Sequence, residues 1–179
     1  EQEVKEEKKE KVIEDILSNI STAFSALTNM PAKNDEEFDF VSVVKRTLDI
    51  FNTDEIHFTH SHDEIIAVFD KDQLGRVVTN LVKNALQATE NEPFPAIEVT
   101  LTKSEKGITL TVKDNGIGIA DADKEKIFEP KFTTKTSGSG LGLAMVKNIV
   151  LSYNGSISFT SQVGKGSEFV VTLVHFLNK

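Results

Sequence analysis

The chain has 179 residues, 39% of them hydrophobic and 27% charged, and a formal net charge of −8 at pH 7. That length suits one well-cored domain with an appendage, and the acidic balance argues against a bare DNA or RNA binder, which carries a basic face. The lack of cysteine excludes a disulfide framework and a thiolate metal site, and no apolar run approaches the roughly 18 residues of a membrane helix. The charged start is unlike a signal peptide, so a soluble chain in the reducing cytoplasm is expected, including as the inner portion of a membrane-anchored protein.

Residues 1–11 are nearly all Glu, Lys and Gln, after which Ile13, Ile16, Ile20, Ala23 and Leu27 recur at three- and four-residue steps. This is one face of an amphipathic helix, and Pro31 ends it. The narrow stripe and charged start favour a helix that faces a partner chain over one packed on its own domain. Residues 32–39 are polar and read as a linker, with Asp39 as the N-cap of a helix carrying Val41, Val44, Leu48 and Phe51 inward. Short strands are predicted near 55–60 and 64–69. Asp70 then caps a helix to about Thr89 that buries Leu74, Val77, Val78, Leu81, Ala85 and Leu86. The alternating runs Ile97-Val99-Leu101 and Ile108-Leu110-Val112 read as a hairpin. A long irregular stretch over 114–139 follows, then a helix from about Gly140 to Tyr153 and closing strands over 156–161 and 167–174 joined by a VGKG turn. A structureless segment of that length inside one domain marks a functional loop.

Three pieces carry chemistry. Asn80 and Asn84 stand one helical turn apart, and an Asn carbonyl is a neutral oxygen suited to a magnesium ion already holding phosphates; two such residues also occur simply as solvent-facing amides. Asp114-Asn-Gly116-Ile-Gly118 places a carboxylate at a strand end, able to accept from the exocyclic amine of a base, with two missing side chains that would let a flat ring approach. The same letters also spell a common tight turn. Lys131 to Gly142 is rich in Lys, Thr, Ser and Gly and opens a helix, where backbone N–H groups and the dipole favour phosphate, although it lacks the ending of a Walker loop.

Taken together, Asn-x-x-x-Asn-Ala, then Asp-x-Gly-x-Gly, then Phe-x-Pro-x-Phe with Thr-Thr-Lys, then Gly-x-Gly-Leu-Gly resembles the ordered boxes of the sensor histidine kinase ATPase domain, over roughly residues 40–176. The stretch SALTNMPAK resembles the end of a dimerisation helix in nitrogen-regulation-type kinases. The resemblance implies three segments: the C-terminal part of a dimerisation helix over 1–31, a linker over 32–39, and the catalytic domain over 40–179. The implied fold is an α/β two-layer sandwich of the Bergerat type, preceded by an N-terminal helix, with ATP and Mg²⁺ as cofactors. Carried over, it assigns Asn84 to magnesium and catalysis, Asn80 and Lys83 to the phosphates, and Asp114 to the adenine amine, with Gly116 and Gly118 against the base. Phe128 and Phe132 would anchor a lid, Lys135, Gly138, Gly140, Leu141 and Gly142 would line the triphosphate, and Thr172 would support the adenine through water.

The gyrase, chaperone and mismatch-repair relatives of this family carry a general-base glutamate where this chain has Asn80, and a carboxamide cannot take the proton. Transfer to an external nucleophile is therefore expected: a histidine on a dimerisation domain, with a response regulator downstream and a homodimeric full-length protein. His57, His60, His62 and His175 lack helical acceptor context and read as surface or structural residues. A related ATPase or anti-sigma serine kinase, and a nucleotide-binding module without catalysis, are the competing readings; no nucleic acid or membrane contact is expected of this chain. Few apolar residues occur between Phe128 and Ser139, so this stretch should exchange its amide hydrogens readily without nucleotide and more slowly with Mg-ATP. Equal, strong protection in both states would contradict a nucleotide-ordered lid.

Overall fold

The computed structural model describes residues 33–130, 132 and 140–173. The predicted N-terminal helix, Lys131, Lys135, Gly138 and His175 lie outside the described residues. In chain order the elements are β1 (Asp35–Asp39), α1 (Phe40–Asp49), β2 (Ile56–His60), β3 (Ile66–Asp70), α2 (Lys71–Thr89), β4 (Ile97–Ser104), β5 (Gly107–Asp114), α3 (Gly142–Ser152), β6 (Ser156–Gln162) and β7 (Gly166–Leu173). Five strands form one sheet in the order β2-β4-β5-β7-β6, parallel between β2 and β4 and antiparallel elsewhere, while β1 and β3 pair antiparallel as a separate ribbon. Layered helices on one sheet give the expected α/β sandwich.

One face of the sheet makes the core. Ile97, Val99 and Leu101 of β4, Ile108, Leu110 and Val112 of β5, and Phe169, Val171 and Leu173 of β7 are all buried, in the period-2 pattern of a half-covered sheet. Leu74, Val77, Val78, Leu81, Val82 and Ala85 of α2 are buried with them, recurring at helical steps. At roughly 1.5–3 kcal/mol for each large apolar side chain removed from water, this interlock is the main stabilising term.

Within the segment predicted as a linker over 32–39, residues 35–39 form a strand. Asp35–Asp39 pairs with β3 from Asp35↔Asp70 to Asp39↔Ile66, and the compact unit begins at Asn34. Polar composition hid this because Asp35, Glu36 and Glu37 are the exposed residues of an edge ribbon, where charge is favoured. The ordering residue is Phe38, which is buried and stacks on Phe40 at a centroid distance of 5.0 Å.

Two aspartates start the helices as predicted, and each also holds a distant strand. Asp39 accepts from Val41 and Ser42 at the head of α1 and, across the fold, from the backbone N–H of Ile65 at 2.9 Å. Asp70 accepts from Gln73 N–H at 3.0 Å and from Asn34 N–H at 2.8 Å. Tyr153, just past α3, donates to Asp35 of β1 and packs on Phe69. The ribbon is thereby fastened to the N-terminus of α2 and the C-terminus of α3.

Burial by itself would raise both carboxyls, but the hydrogen bonds each accepts outweigh it and hold Asp39 and Asp70 below their ordinary value. A depressed folded pKa contributes stability that is fully present above the unfolded value near 3.9 and is lost as pH falls through the folded value. Unfolding free energy should therefore drop on acidification below about pH 4, and Asp70→Asn should flatten part of that slope. Asp70→Ala should cost about 2 kcal/mol in urea unfolding, the upper end for an N-cap, because Asn34 loses its partner too.

Candidate nucleotide site

Asp114 is the last residue of β5 and is buried on the helix-facing side of the sheet. Its Oδ1 accepts from the Gly116 N–H at 2.9 Å and from the Ser167 N–H at 3.3 Å, so two backbone donors orient the carboxylate. Beyond it the chain turns against the end of α2, where the Ile117 N–H donates to the Ala88 carbonyl at 3.0 Å. Asn115 secures the other side, donating to the Phe94 carbonyl and accepting from the Ala96 N–H.

Gly116 and Gly118 serve a different purpose from the one expected. A Cβ on Gly116 would lie 2.3 Å from the Ala88 carbonyl oxygen, and one on Gly118, at φ +70°, would lie 2.2 Å from that of Gln162. The space vacated by both side chains is filled by protein backbone, so these glycines are required for docking the loop on α2 and on β6. Open space for a ring does not explain them.

Thr172 is misplaced in the sequence reading. It pairs with Thr109, whereas Asp114 pairs with Ser167, five residues earlier on β7. Five strand residues span about 17 Å, and an odd offset puts Thr172 on the opposite face of the sheet from Asp114. Ser167 is the residue of β7 that stands opposite Asp114. It is buried, and its Oγ lies 3.0 Å from that of Ser161, which accepts from the Ile119 N–H at 2.8 Å. Gly166 must be glycine, since at φ +102° its Cβ would fall 1.9 Å from the Asp114 carbonyl oxygen. Sequence reasoning passed over Ser161, Gly166 and Ser167. The signal was the Gly-Ser step at the end of the VGKG turn, since counting back along the last strand brings it level with the end of β5.

Asn80, Lys83 and Asn84 lie on α2, Lys83 exposed and the two asparagines half-buried. Asn80 donates through Nδ2 to the Arg76 carbonyl at 2.8 Å, and a Cβ on Gly142 would meet its Oδ1 at 2.8 Å. Gly142, the first residue of α3, thus brings that helix start directly against Asn80. Gly140, at φ +65°, and Leu141, the uncapped N-cap, complete the approach. Phe128 meets Phe159 edge to face at 5.9 Å with the Lys147 ammonium 5.5 Å from its ring, and Phe132 packs half-buried against the core. Lys135 and Gly138 belong to the stretch outside the described residues.

The three exposed histidines of this unit are not at the site. His57 and His60 lie on edge strand β2, and the His60 ring binds the carbonyl of His62 in the following turn. A cleft of about 650 Å³ between α1 and β2, lined by Lys45, Asp49, Phe58 and His60 among others, contains none of the predicted site residues. Among the described residues no helix is long and apolar enough to cross a membrane.

A carboxylate at a strand end, a facing helix with paired asparagines and a glycine-opened helix N-terminus define an ATP-binding α/β domain. Residues 69–175 match the family described as histidine kinase-, DNA gyrase B- and HSP90-like ATPases, and the chain belongs to that family. It is 46% identical over 104 residues to the sensor histidine kinase ZraS of Escherichia coli K12, covering 58% of this chain and 22% of that protein. Over 120 residues it is 40% identical to the C4-dicarboxylate transport sensor protein DctB of Rhizobium meliloti, covering 67% and 19%. The chain thus spans about a fifth of the length of these relatives. The nucleotide-free catalytic domain of histidine kinase ThkA superposes with a TM-score of 0.71 at 27% identity, covering 79% of this chain and 96% of that one. For the mycobacterial sensor histidine kinase MprB the TM-score is 0.67 at 28% identity, covering 78% and 97%.

Gly116→Ala should lower ATP affinity at least tenfold and reduce thermal stability, because the clash is with helix backbone that cannot step aside. Thr172→Val should leave ATP affinity within twofold. Calorimetric titration of both variants checks the placement; a Thr172→Val loss as large as that of Gly116→Ala would contradict it.

Proposed function

We propose that this chain is the catalytic domain of a two-component sensor histidine kinase, which binds Mg-ATP and transfers the γ-phosphoryl group to a histidine on a dimerisation domain. The observation that carries this reading is Asn80. Its carboxamide nitrogen is committed to the Arg76 carbonyl, one turn before Asn84, at the position where hydrolysing members of the family would need a carboxylate. Among the described residues, the site has groups to position a phosphate, and at this position an amide that cannot deprotonate water.

The role of each group follows from its chemistry. Asp114, oriented by the N–H groups of Gly116 and Ser167, accepts from the adenine amine. Asn80 and Lys83 face the phosphates, and the Gly140–Gly142 backbone at the head of α3 offers N–H donors to them. Asn84 supplies one neutral oxygen to magnesium. A single neutral oxygen suits a magnesium ion held mainly by phosphates and water. When bound, the ion neutralises charge on the β- and γ-phosphates. In the transfer the bond between γ-phosphorus and its bridging oxygen breaks, a bond to an imidazole nitrogen forms, and the imidazole proton passes to solvent. The partners in this reading are ATP and ADP, the histidine-bearing dimerisation domain, a response regulator that takes the phosphoryl group onward, and a second copy of the full-length kinase. A cytoplasmic setting, beneath a membrane anchor or free of one, accords with it.

Asp114→Asn turns an acceptor into a donor facing the adenine amine and should weaken ATP binding about ten- to a hundredfold, the equivalent of roughly 1.5–3 kcal/mol. With γ-labelled ATP the chain alone should release phosphate very slowly and leave its own histidines unlabelled. Given a separate four-helix acceptor domain, it should place acid-labile phosphate on that domain's histidine, and Asn84→Asp should abolish the transfer. Rapid free phosphate, or label on this chain, would refute the reading.

A further inference from the structure

A groove of about 590 Å³ runs between α1 and α2 and ends at Asn80 and Lys83. One wall is the α1 stripe with Arg46 and, just past the helix and 79% exposed, Ile50. The other is an α2 stripe at helical steps, Asp72, Arg76, Asn80 and Lys83, which share one helix face. Lys71 at the rim is paired with Glu36 at 3.1 Å, which leaves Arg46, Arg76 and Lys83 beside one lining carboxylate, Asp72, with Asp70 of the α2 N-cap also near Arg76. On a chain of net charge −8, this concentration of cations is a local reversal of sign.

The direction of the groove matters as much as its charge. Gly116 rests on Ala88, so the Asp114 end of the site lies near the C-terminus of α2, while Asn80 is eight residues back. That is about 12 Å along the helix axis at 1.5 Å per residue. A nucleotide held at its base by Asp114 and at its phosphates by Asn84, Asn80 and Lys83 therefore lies antiparallel to α2, its γ-phosphate pointing toward the groove. In-line displacement needs the nucleophile to arrive opposite the leaving oxygen, and the groove lining reaches Asn80 and Lys83, the residues assigned to the phosphates.

From this geometry we infer that the α1–α2 groove docks the acceptor-bearing protein segment. Its occupant is an acidic amphipathic segment whose carboxylates meet Arg46 and Arg76 and whose apolar face covers Ile50, and it brings the acceptor nitrogen to the γ-phosphate end on. The inference rests on the phosphotransfer reading and deepens it. Surface cations act chiefly by steering and selecting a charged partner, so their loss should appear in acceptor recognition and not in nucleotide binding.

The test pairs Arg46→Glu/Arg76→Glu with the parent 179-residue chain, using Mg-ATP and a separate four-helix acceptor domain. The variant should bind Mg-ATP within twofold of the parent, raise the KM for the acceptor domain at least tenfold, and change kcat at saturating acceptor by less than threefold. Parent KM should rise with ionic strength and variant KM should not. Unchanged acceptor KM, or a matching loss of ATP affinity, would overturn the groove assignment. Titrating the acceptor domain into the ADP-loaded chain gives an arm that needs no transfer. Tight binding to the parent and tenfold weaker binding to the variant supports the groove even if phosphotransfer fails and the kinase reading falls, whereas equal or no binding in both removes it.

Discussion

The site depends on one close backbone contact, that of Gly116 with the last turn of α2. With no side chain at Gly116 the loop after β5 comes close enough for the Ile117 N–H to reach the Ala88 carbonyl, and this sets the distance from the Asp114 end of the sheet to the helix that carries Asn80 and Asn84. A methyl group would separate them by more than any rotamer change could recover, because both partners are main chain. The Asp114 loop is further closed from the strand side by Gly118 on Gln162 and by Gly166 on the Asp114 carbonyl. Three glycines from two segments thus make one rigid corner, and the carboxylate within it is oriented by N–H donors from both.

Electrostatics then divides the surface of α2. Its buried stripe joins the sheet, and its exposed stripe passes from Asp72 through Arg76 to Lys83 with Asn80 between. The proposed phosphate-facing positions Asn80 and Asn84 are neutral amides, which would not repel a highly charged phosphate chain as a carboxylate would. In the proposed reading the same choice leaves that position without the base that hydrolysis would need.

The N-terminal ribbon adds a mechanical link. Asp70 joins Asn34 to the head of α2, and Tyr153 joins Asp35 to the foot of α3. Strand β1 is thus tied to the start of one helix of the site and to the end of the other. The tyrosine hydroxyl has its pKa raised by burial and by the Asp35 carboxylate, so it stays a proton donor to that carboxylate through the neutral range.

The helices, the β4–β5 hairpin, and Asp39 and Asp70 as caps were legible from periodicity and capping chemistry, because these are set by neighbours within four residues. The spaced motifs likewise made Asp114, Asn80 and Asn84 candidates before any coordinates. Strand β1 was hidden because its composition is that of a loop and only Phe38 has somewhere to be buried. The choice between Thr172 and Ser167 was also beyond sequence, since it turns on which residue of β7 stands opposite Asp114, a matter of register between strands 53 residues apart. The role of the glycines belongs to the same class: a sequence records that a side chain is absent, and only the packed structure shows that a helix backbone occupies its place. Local chemistry is written along the chain, whereas register and close approach arise from chain closure over long separations, so only the tertiary structure decided them.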